Sequence, residues 1–355
     1  MKNRRPQLTR REAAGLFGLA ALAGGLSRGR ASAQGLAPTA KVGAPLGRAG
    51  DEIVAGGQFF HTTAPVVSWM DPGGYDAYRV ERRFAPIAEA SWKKSEGKDL
   101  NLPNRFGMRT RTLPPETVER VRGGGWDLDT LRQVVDQFVI HYDVCGTSKT
   151  CFKVLHDNRG LSVHFMLDLD GTIYQTLDLK EAAWHATIAN NRSIGIEIAN
   201  MGAYSVQGPG GENDPSVLAK WYKKGPDGHT EITIPGGLAR SGERNPPPVL
   251  RPSRDEPVVG EVQGKTLRQY DFTPQQYDSL IKLTATLCAV FPKITCDYPR
   301  DSSGKLVTKK LADDVLKNYH GVLGHYHVQT NKTDPGPAFE WDAVINGARA
   351  LLGRS

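Results

Sequence analysis

The stretch SIGIEIAN, at residues 193–200, alternates as a β-strand inside a folded domain does. Its three isoleucines fall on one face, whereas Gly195 and Glu197 fall on the other, because successive side chains of a strand point to opposite sides. Polar groups on such a rigid apolar base are commonly functional. The stretch therefore predicts a core strand that presents the Glu197 carboxylate to a site.

Further strands and helices are predicted on both sides of this strand. FVIHYD, at residues 138–143, follows a helix-like stretch and is a short apolar strand that reaches His141. Residues 161–175 predict a hairpin that turns at Asp170-Gly171, because Asp-Gly is a strong tight-turn signal. Strands mixed with helices indicate an α/β domain.

A long helix is predicted to begin after Thr273. Thr273 is a good N-cap residue, Pro274 suits the first helical position, and Gln276 completes a capping box. Apolar residues at helical spacing follow, and a closing helix is predicted over residues 341–352.

Residues 1–33 have the three parts of an export signal in the expected order. Arg10-Arg11 precede the uncharged residues 13–26, and Ala-Ser-Ala at 31–33 supplies small residues for cleavage. Paired arginines before a mildly apolar core favour the twin-arginine route and a periplasmic or secreted protein. The alternative is a basic N-terminus with an amphipathic helix.

The net charge of +7 is concentrated in this leader. The first 33 residues hold seven Lys or Arg and one Glu, so six of the seven net charges lie there. The remainder is almost neutral, which argues against nucleic-acid binding. No stretch of about 18 uncharged apolar residues follows the leader, so we predict no transmembrane segment after signal removal.

Composition divides the rest of the chain. Residues 34–50 read as a flexible linker, residues 51–127 as an ordered N-terminal extension, and residues 128–355 as the main domain. The Gly- and Pro-rich residues 202–270 interrupt that domain. A long irregular insertion is usually functional or mobile, so we expect this one to border a substrate groove and to contribute little core.

The four cysteines form two close pairs, Cys145/Cys151 and Cys288/Cys296. Both pairs are disulfide candidates, because an exported protein meets an oxidising compartment. A zinc site built from four cysteines is the rival, but neither pair has the two-residue spacing of a zinc knuckle. For the first pair, two small buried thiols are a further alternative.

Several His and Asp residues are candidate zinc ligands. A catalytic zinc takes three protein ligands and keeps a fourth position for water. His141 can supply one nitrogen, His325 or His327 a second, and Asp334 an oxygen. Each is a weak signal alone, since a lone His is more often structural and Asp before Pro often starts a turn.

Three strings carry a more specific signal: AWHA at 183–186, NNRSIGIEIAN at 190–200 and KTDPGPAF at 332–339. With them the chain resembles the zinc-dependent N-acetylmuramoyl-L-alanine amidases, a family that includes T7-type phage lysozyme and animal peptidoglycan recognition proteins. The resemblance covers residues 130–203 and 270–350. It implies a mixed central β-sheet flanked by helices, with zinc in a groove on one face.

The resemblance also implies a set of zinc ligands. The family's ligands match His141, His325 and Asp334, the last of which is usually Cys in animal and phage members. The loop between the second and third ligands is one residue shorter than in bacterial members and contains His327, which remains an alternative ligand.

Other roles follow from the same resemblance. The catalytic Glu of the family matches Glu197, and its Lys two residues before the last ligand matches Lys332. His164, His185 and Asn191 occupy substrate-binding positions along the groove.

The reaction implied is hydrolysis of the amide between N-acetylmuramic acid and L-alanine, in peptidoglycan or muropeptides, by a zinc-activated water. A Cys145–Cys151 disulfide is implied too, because animal members have a bonded pair in a similar place. The alternatives are a non-catalytic peptidoglycan sensor and a zinc hydrolase of another amide. Complete candidates for the ligands, with Glu197 and Lys332, argue against the sensor.

We predict that the double substitution Arg10→Lys and Arg11→Lys leaves the precursor in the cytoplasm, because the twin-arginine route requires the pair. Cell fractionation with immunoblotting measures the distribution. Normal export of the double variant would contradict the twin-arginine assignment.

Overall fold

The computed structural model describes residues 41–95, 103–206, 217–237 and 241–354. The predicted leader, residues 1–33, lies outside the described residues. The described residues from Arg48 onward form one compact unit, and residues 41–47 are grouped separately from it. Residues 41–47 of the expected linker are exposed.

Strands and helices are numbered here in chain order. The strands are β1 Glu52–Ala55, β2 Gln58–His61, β3 Val66–Ser68, β4 Phe106–Met108, β5 Gln137–Tyr142, β6 Phe165–Leu167, β7 Ile173–Gln175, β8 Glu181–Ala183, β9 Ser193–Ile198, β10 Tyr204–Ser205, β11 Tyr222–Lys224, β12 Thr230–Ile232, β13 Val258–Val262, β14 Lys265–Gln269 and β15 Gly321–Gly324. The helices are α1 Ile87–Ala90, α2 Trp92–Ser95, α3 Pro115–Arg122, α4 Leu128–Val134, α5 Ser148–Phe152, α6 Leu218–Trp221, α7 Pro274–Val290, α8 Asp313–Asn318, α9 His325–Val328 and α10 Trp341–Leu351. A π-helical turn, Lys153–Asn158, follows α5, and a 3-10 turn, Thr187–Ala189, precedes β9.

The largest sheet among the described residues has six strands in the order β15-β5-β9-β6-β7-β3. The first four strands run parallel to one another, the β6–β7 hairpin is antiparallel, and β3 is parallel to β7. The sheet is therefore mixed, and α7 and α10 cover one of its faces, where Ile196 of β9 shares a core with Leu287 and Val344. This arrangement confirms the predicted α/β class.

Local signals in the sequence account for several of these elements. The capping box at the start of α7 is present: Thr273 Oγ1 accepts from Gln276 N at 3.1 Å, and Gln276 Oε1 accepts from Thr273 N at 2.9 Å. The β6–β7 hairpin turns at Gly171, whose φ of 84° is open to glycine at little cost. The predicted hairpin and helix are both confirmed.

The N-terminal extension is an integral part of the compact unit. Its strand β3 forms the edge of the central sheet beside β7, and β4 pairs with β8 in a separate two-stranded ribbon. Arg105 and Arg109, at the two ends of β4, are fully buried. These residues bring polar side chains from outside the main domain into its interior.

The expectation that the insertion contributes little core is wrong. Within it, β10, β14 and β13 form a three-stranded sheet, and β11 pairs with β12. Tyr222, Ile232 and Leu250 are buried in a cluster that they share with Leu169 and Ala199 of the main domain, while Leu267 belongs to the main core. The sequence did not reveal these strands, because the insertion is rich in glycine and proline and each strand has only two to five residues.

The four cysteines are free thiols, so neither predicted disulfide is present. Cys145 and Cys151 lie within hydrogen-bonding reach of each other, as do Cys288 and Cys296. Close spacing in sequence correctly indicated proximity but not covalent bonding. Among the described residues, no helix combines the length and apolar character that crossing a bilayer requires.

Candidate metal centre and active-site groove

Strand register places the site at one edge of the central sheet. His141 on β5 is paired with Glu197 on β9, and Gly324, the last residue of β15, is paired with Ile140. Carboxyl ends of parallel strands meet at the same edge of a sheet, where α/β folds commonly bind ligands. His325, which follows Gly324 directly, therefore enters the site beside His141.

Three side chains converge on one point at this edge. His141 Nδ1 lies 2.9 Å from His325 Nδ1 and 2.8 Å from Asp334 Oδ2, and His325 Nδ1 lies 2.9 Å from the same oxygen. All three residues are buried. The loop that carries Asp334 folds back so that Tyr326 N donates to Asp334 O at 3.2 Å.

The outer ring nitrogens of the two histidines have their own partners. His325 Nε2 donates to Gln329 Oε1 at 2.7 Å, because an amide oxygen can only accept. His141 Nε2 lies 3.0 Å from His185 Nδ1. Such outer contacts select the tautomer that carries its proton on Nε2 and has a free lone pair on Nδ1, as is usual for metal-bound histidine.

The protonation of the cluster also suits a cation. Burial and the neighbouring His325 lower the pKa of His141 to about 4, so its ring is neutral at neutral pH. Burial opposes ionisation of Asp334, but the two histidines outweigh it and hold the pKa of that carboxyl below its usual range. Two imidazole nitrogens and a carboxylate around one point match the donor set of a catalytic zinc.

Glu197 faces the same groove. Burial raises the pKa of Glu197 well above its usual value, and the nearby carboxylates of Asp334 and Asp143 raise it further, whereas Lys332 lowers it. Glu197 Oε2 is buried and has no hydrogen-bond partner among the described residues. A carboxyl group with a raised pKa and a buried oxygen that lacks a hydrogen-bond partner among the described residues is suited to proton transfer.

His185 lines the groove, as expected, and supports the candidate ligand cluster through His141. Its Nδ1 faces His141 Nε2, and its Nε2 lies 3.1 Å from Ser193 Oγ. Gly195 makes room for this ring, since a Cβ there would lie 2.5 Å from the imidazole of His185. Ser193 and Gly195 therefore have two roles: they continue the alternating pattern of β9, and they fit against the ring of His185.

Two residues predicted to bind substrate lie elsewhere. His164 is fully buried: its Nδ1 accepts from Gly195 N at 3.1 Å, so Nε2 carries the proton and donates to Glu181 O at 2.9 Å. Asn191 Oδ1 accepts from Arg111 N, and Asn191 lines a separate cavity of about 530 Å³. Both residues support the site's framework and do not line the groove.

The structure also separates the two candidate histidines of the late loop. His327 Nδ1 accepts from Gly324 N at 2.9 Å, and its Nε2 donates to Val307 O at 2.6 Å. Burial lowers the pKa of His327 to about 3, so it remains neutral. His327 is a structural residue, and His325 is the one that joins the ligand cluster.

The groove around the cluster has a volume of about 450 Å³. Sequence reasoning missed some of its lining residues, Arg159, Trp184, Asn190 and Gln329. Trp184 and Asn190 lie within the strings that carry the family resemblance. That resemblance was the signal that could have identified them as groove residues.

The insertion, expected to border the groove, contributes none of the groove's lining residues in its described part. Its contribution to the groove is indirect: Gln263 Nε2 donates to Tyr326 O and Gln329 O, both at 2.8 Å. These bonds hold the α9 turn, which begins with His325.

Comparison with known proteins agrees with this geometry. The family model for N-acetylmuramoyl-L-alanine amidase matches residues 131–337, which is more than half of the chain. The chain therefore belongs to the N-acetylmuramoyl-L-alanine amidase family. No curated protein matches it.

Solved amidase structures show a distant likeness. A selenomethionine derivative of AmpD has 15% identity and a TM-score of 0.30, over 68% of this chain and 89% of its own. AmiD from E. coli, solved with anhydro-N-acetylmuramic acid-L-Ala-D-γ-Glu-L-Lys, has 18% identity and a TM-score of 0.32, over 60% of this chain and 57% of its own. The endolysin LysCS from Clostridium intestinale has 17% identity and a TM-score of 0.31, over 63% of this chain and 88% of its own.

We predict that His325→Ala weakens zinc binding by more than about 100-fold, because it removes a ligand and not an outer contact. His327→Ala is the matched control. It should keep its zinc but lose roughly 1–3 kcal/mol of unfolding free energy, since a buried N–H and a buried C=O are left unpaired. Chelator competition and denaturant unfolding measure the two effects, and zinc loss in His327→Ala alone would reverse the assignment.

Proposed function

We propose that this protein is a zinc-dependent hydrolase that cleaves the amide bond between N-acetylmuramic acid and L-alanine in peptidoglycan or muropeptides. The observation that carries the proposal is the convergence of His141, His325 and Asp334 in a groove that also exposes Glu197 and Lys332. Membership of the amidase family supports the choice of bond. We also propose that the protein acts in the periplasm or outside the cell, on the basis of the leader predicted from its sequence.

The division of work among the residues follows from their positions. His141, His325 and Asp334 would hold the zinc, which when bound lowers the pKa of a water molecule to about 7 and polarises a carbonyl oxygen. Glu197, next to His141 on the adjoining strand, takes the proton of the attacking water. The same carboxyl then gives that proton to the nitrogen of the leaving L-alanine.

Lys332 provides the positive charge of the groove closest to this chemistry. It lies close enough to Glu197 and His141 to lower the pKa of both. Negative charge develops on the amide oxygen as the carbonyl carbon becomes tetrahedral. An ammonium beside it stabilises that charge in the transition state more than in the ground state.

Digestion of purified sacculi tests the proposal. Wild-type protein with zinc should release peptides with a free N-terminal L-alanine, identified by mass spectrometry, whereas Glu197→Gln should be slower by roughly 10²–10⁴-fold. The variant should keep its zinc and its melting temperature, because Glu197 is not a ligand. Cleavage at another bond by the wild type would contradict the proposed reaction, and a near-normal rate for Glu197→Gln would contradict the role of that residue.

The rate should fall on the acid side, because Glu197 must be ionised to accept a proton and its pKa lies well above the usual carboxyl value. Removing the positive charge of Lys332 raises that pKa further. We therefore predict that Lys332→Met moves the acid limb of kcat/KM to higher pH, as measured in a pH profile. Lys265→Met, at an exposed position on β14, is the control, and an unshifted limb in Lys332→Met would contradict the coupling.

A further inference from the structure

Arg109 is a buried cation that lies outside the residues matched by the amidase family. It follows β4 of the N-terminal extension, is fully buried and forms no ion pair with a carboxylate among the described residues. Burial lowers the pKa of Arg109 to about 9, so it stays charged at neutral pH. The carboxylates of Glu181, Asp178 and Asp136 favour the charged form from a distance, but burying a charge without a direct ion-pair partner is costly, which raises the question of what the guanidinium does there.

The guanidinium donates to four backbone carbonyls, and its Nη2 also lies 3.0 Å from His164 Nε2. Its Nε donates to Leu179 O at 2.9 Å, and its Nη2 donates to Ser193 O at 2.9 Å. Its Nη1 donates to Asn191 O at 3.0 Å and, more weakly, to Asn190 O at 3.3 Å. Three of these acceptors belong to residues 190–193, the segment that leads into the strand with Glu197.

The same segment holds His185. Asn190 Oδ1 accepts from His185 N at 3.1 Å and from Ala186 N at 2.6 Å, and Ser193 Oγ contacts His185 Nε2 at 3.1 Å. His185 Nδ1 in turn contacts His141 Nε2 at 3.0 Å. One proton arrangement satisfies this series: His141 Nε2–H donates to His185, and His185 Nε2–H donates to Ser193.

We infer that Arg109 is a positioning residue for the metal centre: it holds residues 190–193 so that His185 orients the ring of His141. The inference rests on the proposed function and adds that the extension, which the family model does not cover, takes part in building the active site. Arginine is needed because its planar fork of N–H donors reaches several carbonyls at once, whereas lysine offers a single compact ammonium.

The test compares Arg109→Lys with Arg105→Lys. Arg105 is also fully buried beside β4, but it donates to Pro103 O and His156 O and makes no contact with residues 190–193. Zinc affinity is measured by chelator competition, the metal geometry by the visible spectrum of the Co²⁺-substituted protein, and stability by the melting temperature.

We expect both variants to melt earlier, but Arg109→Lys alone to bind zinc roughly 10- to 100-fold more weakly, the span for residues that orient a ligand. Its Co²⁺ spectrum should also change. Equal zinc affinity in the two variants, or an unchanged spectrum in Arg109→Lys, would overturn the inference. A wild type that binds no zinc would instead overturn the proposed function.

Asn190→Ala provides a second test that does not depend on the folding of Arg109→Lys. It removes the side-chain oxygen that holds the backbone of His185 and leaves the four carbonyl contacts of Arg109 in place. We expect weaker zinc binding here too, and unchanged zinc affinity would overturn the inference.

Discussion

Parallel pairing of β5 with β9 is the constraint on which the rest of the site depends. It aligns His141 with Glu197, so the first proposed ligand and the proposed base stand side by side on one face. A slip of one residue would turn Glu197 into the apolar core and an isoleucine into the groove. The isoleucines that pack beneath the sheet prevent this slip, so the hydrophobic core sets the geometry of the catalytic face.

The second half of the site is brought in by hydrogen bonds to backbone atoms. β15 places His325 beside His141, and the Asp334 loop is held by Gln269, whose Nε2 donates to Pro335 O at 3.0 Å. Gln269 and Gln263 come from the insertion and support the groove without lining it. The insertion and the extension therefore act alike: each supplies buried polar side chains that fix loops of the catalytic domain.

Electrostatics within the groove divides the titratable groups by role. Within the proposed ligand set, His141 is neutral and Asp334 is ionised, as metal binding requires. Glu197 is pushed in the opposite direction from Asp334 by burial and by the negative charges around it. Two carboxyl groups with pKa values moved apart can serve as ligand and as proton carrier in the same small volume.

The sequence by itself determined the strand with Glu197, the hairpin turn at Gly171, the capping box of α7 and the identities of the ligand candidates. These follow from periodicity, turn chemistry and motif strings, which act over a few residues. Only the tertiary structure decided between His325 and His327, removed His164 from the groove and placed Arg109 behind residues 190–193. Those outcomes depend on which distant backbone groups need a hydrogen-bond partner, and local sequence patterns do not contain that information.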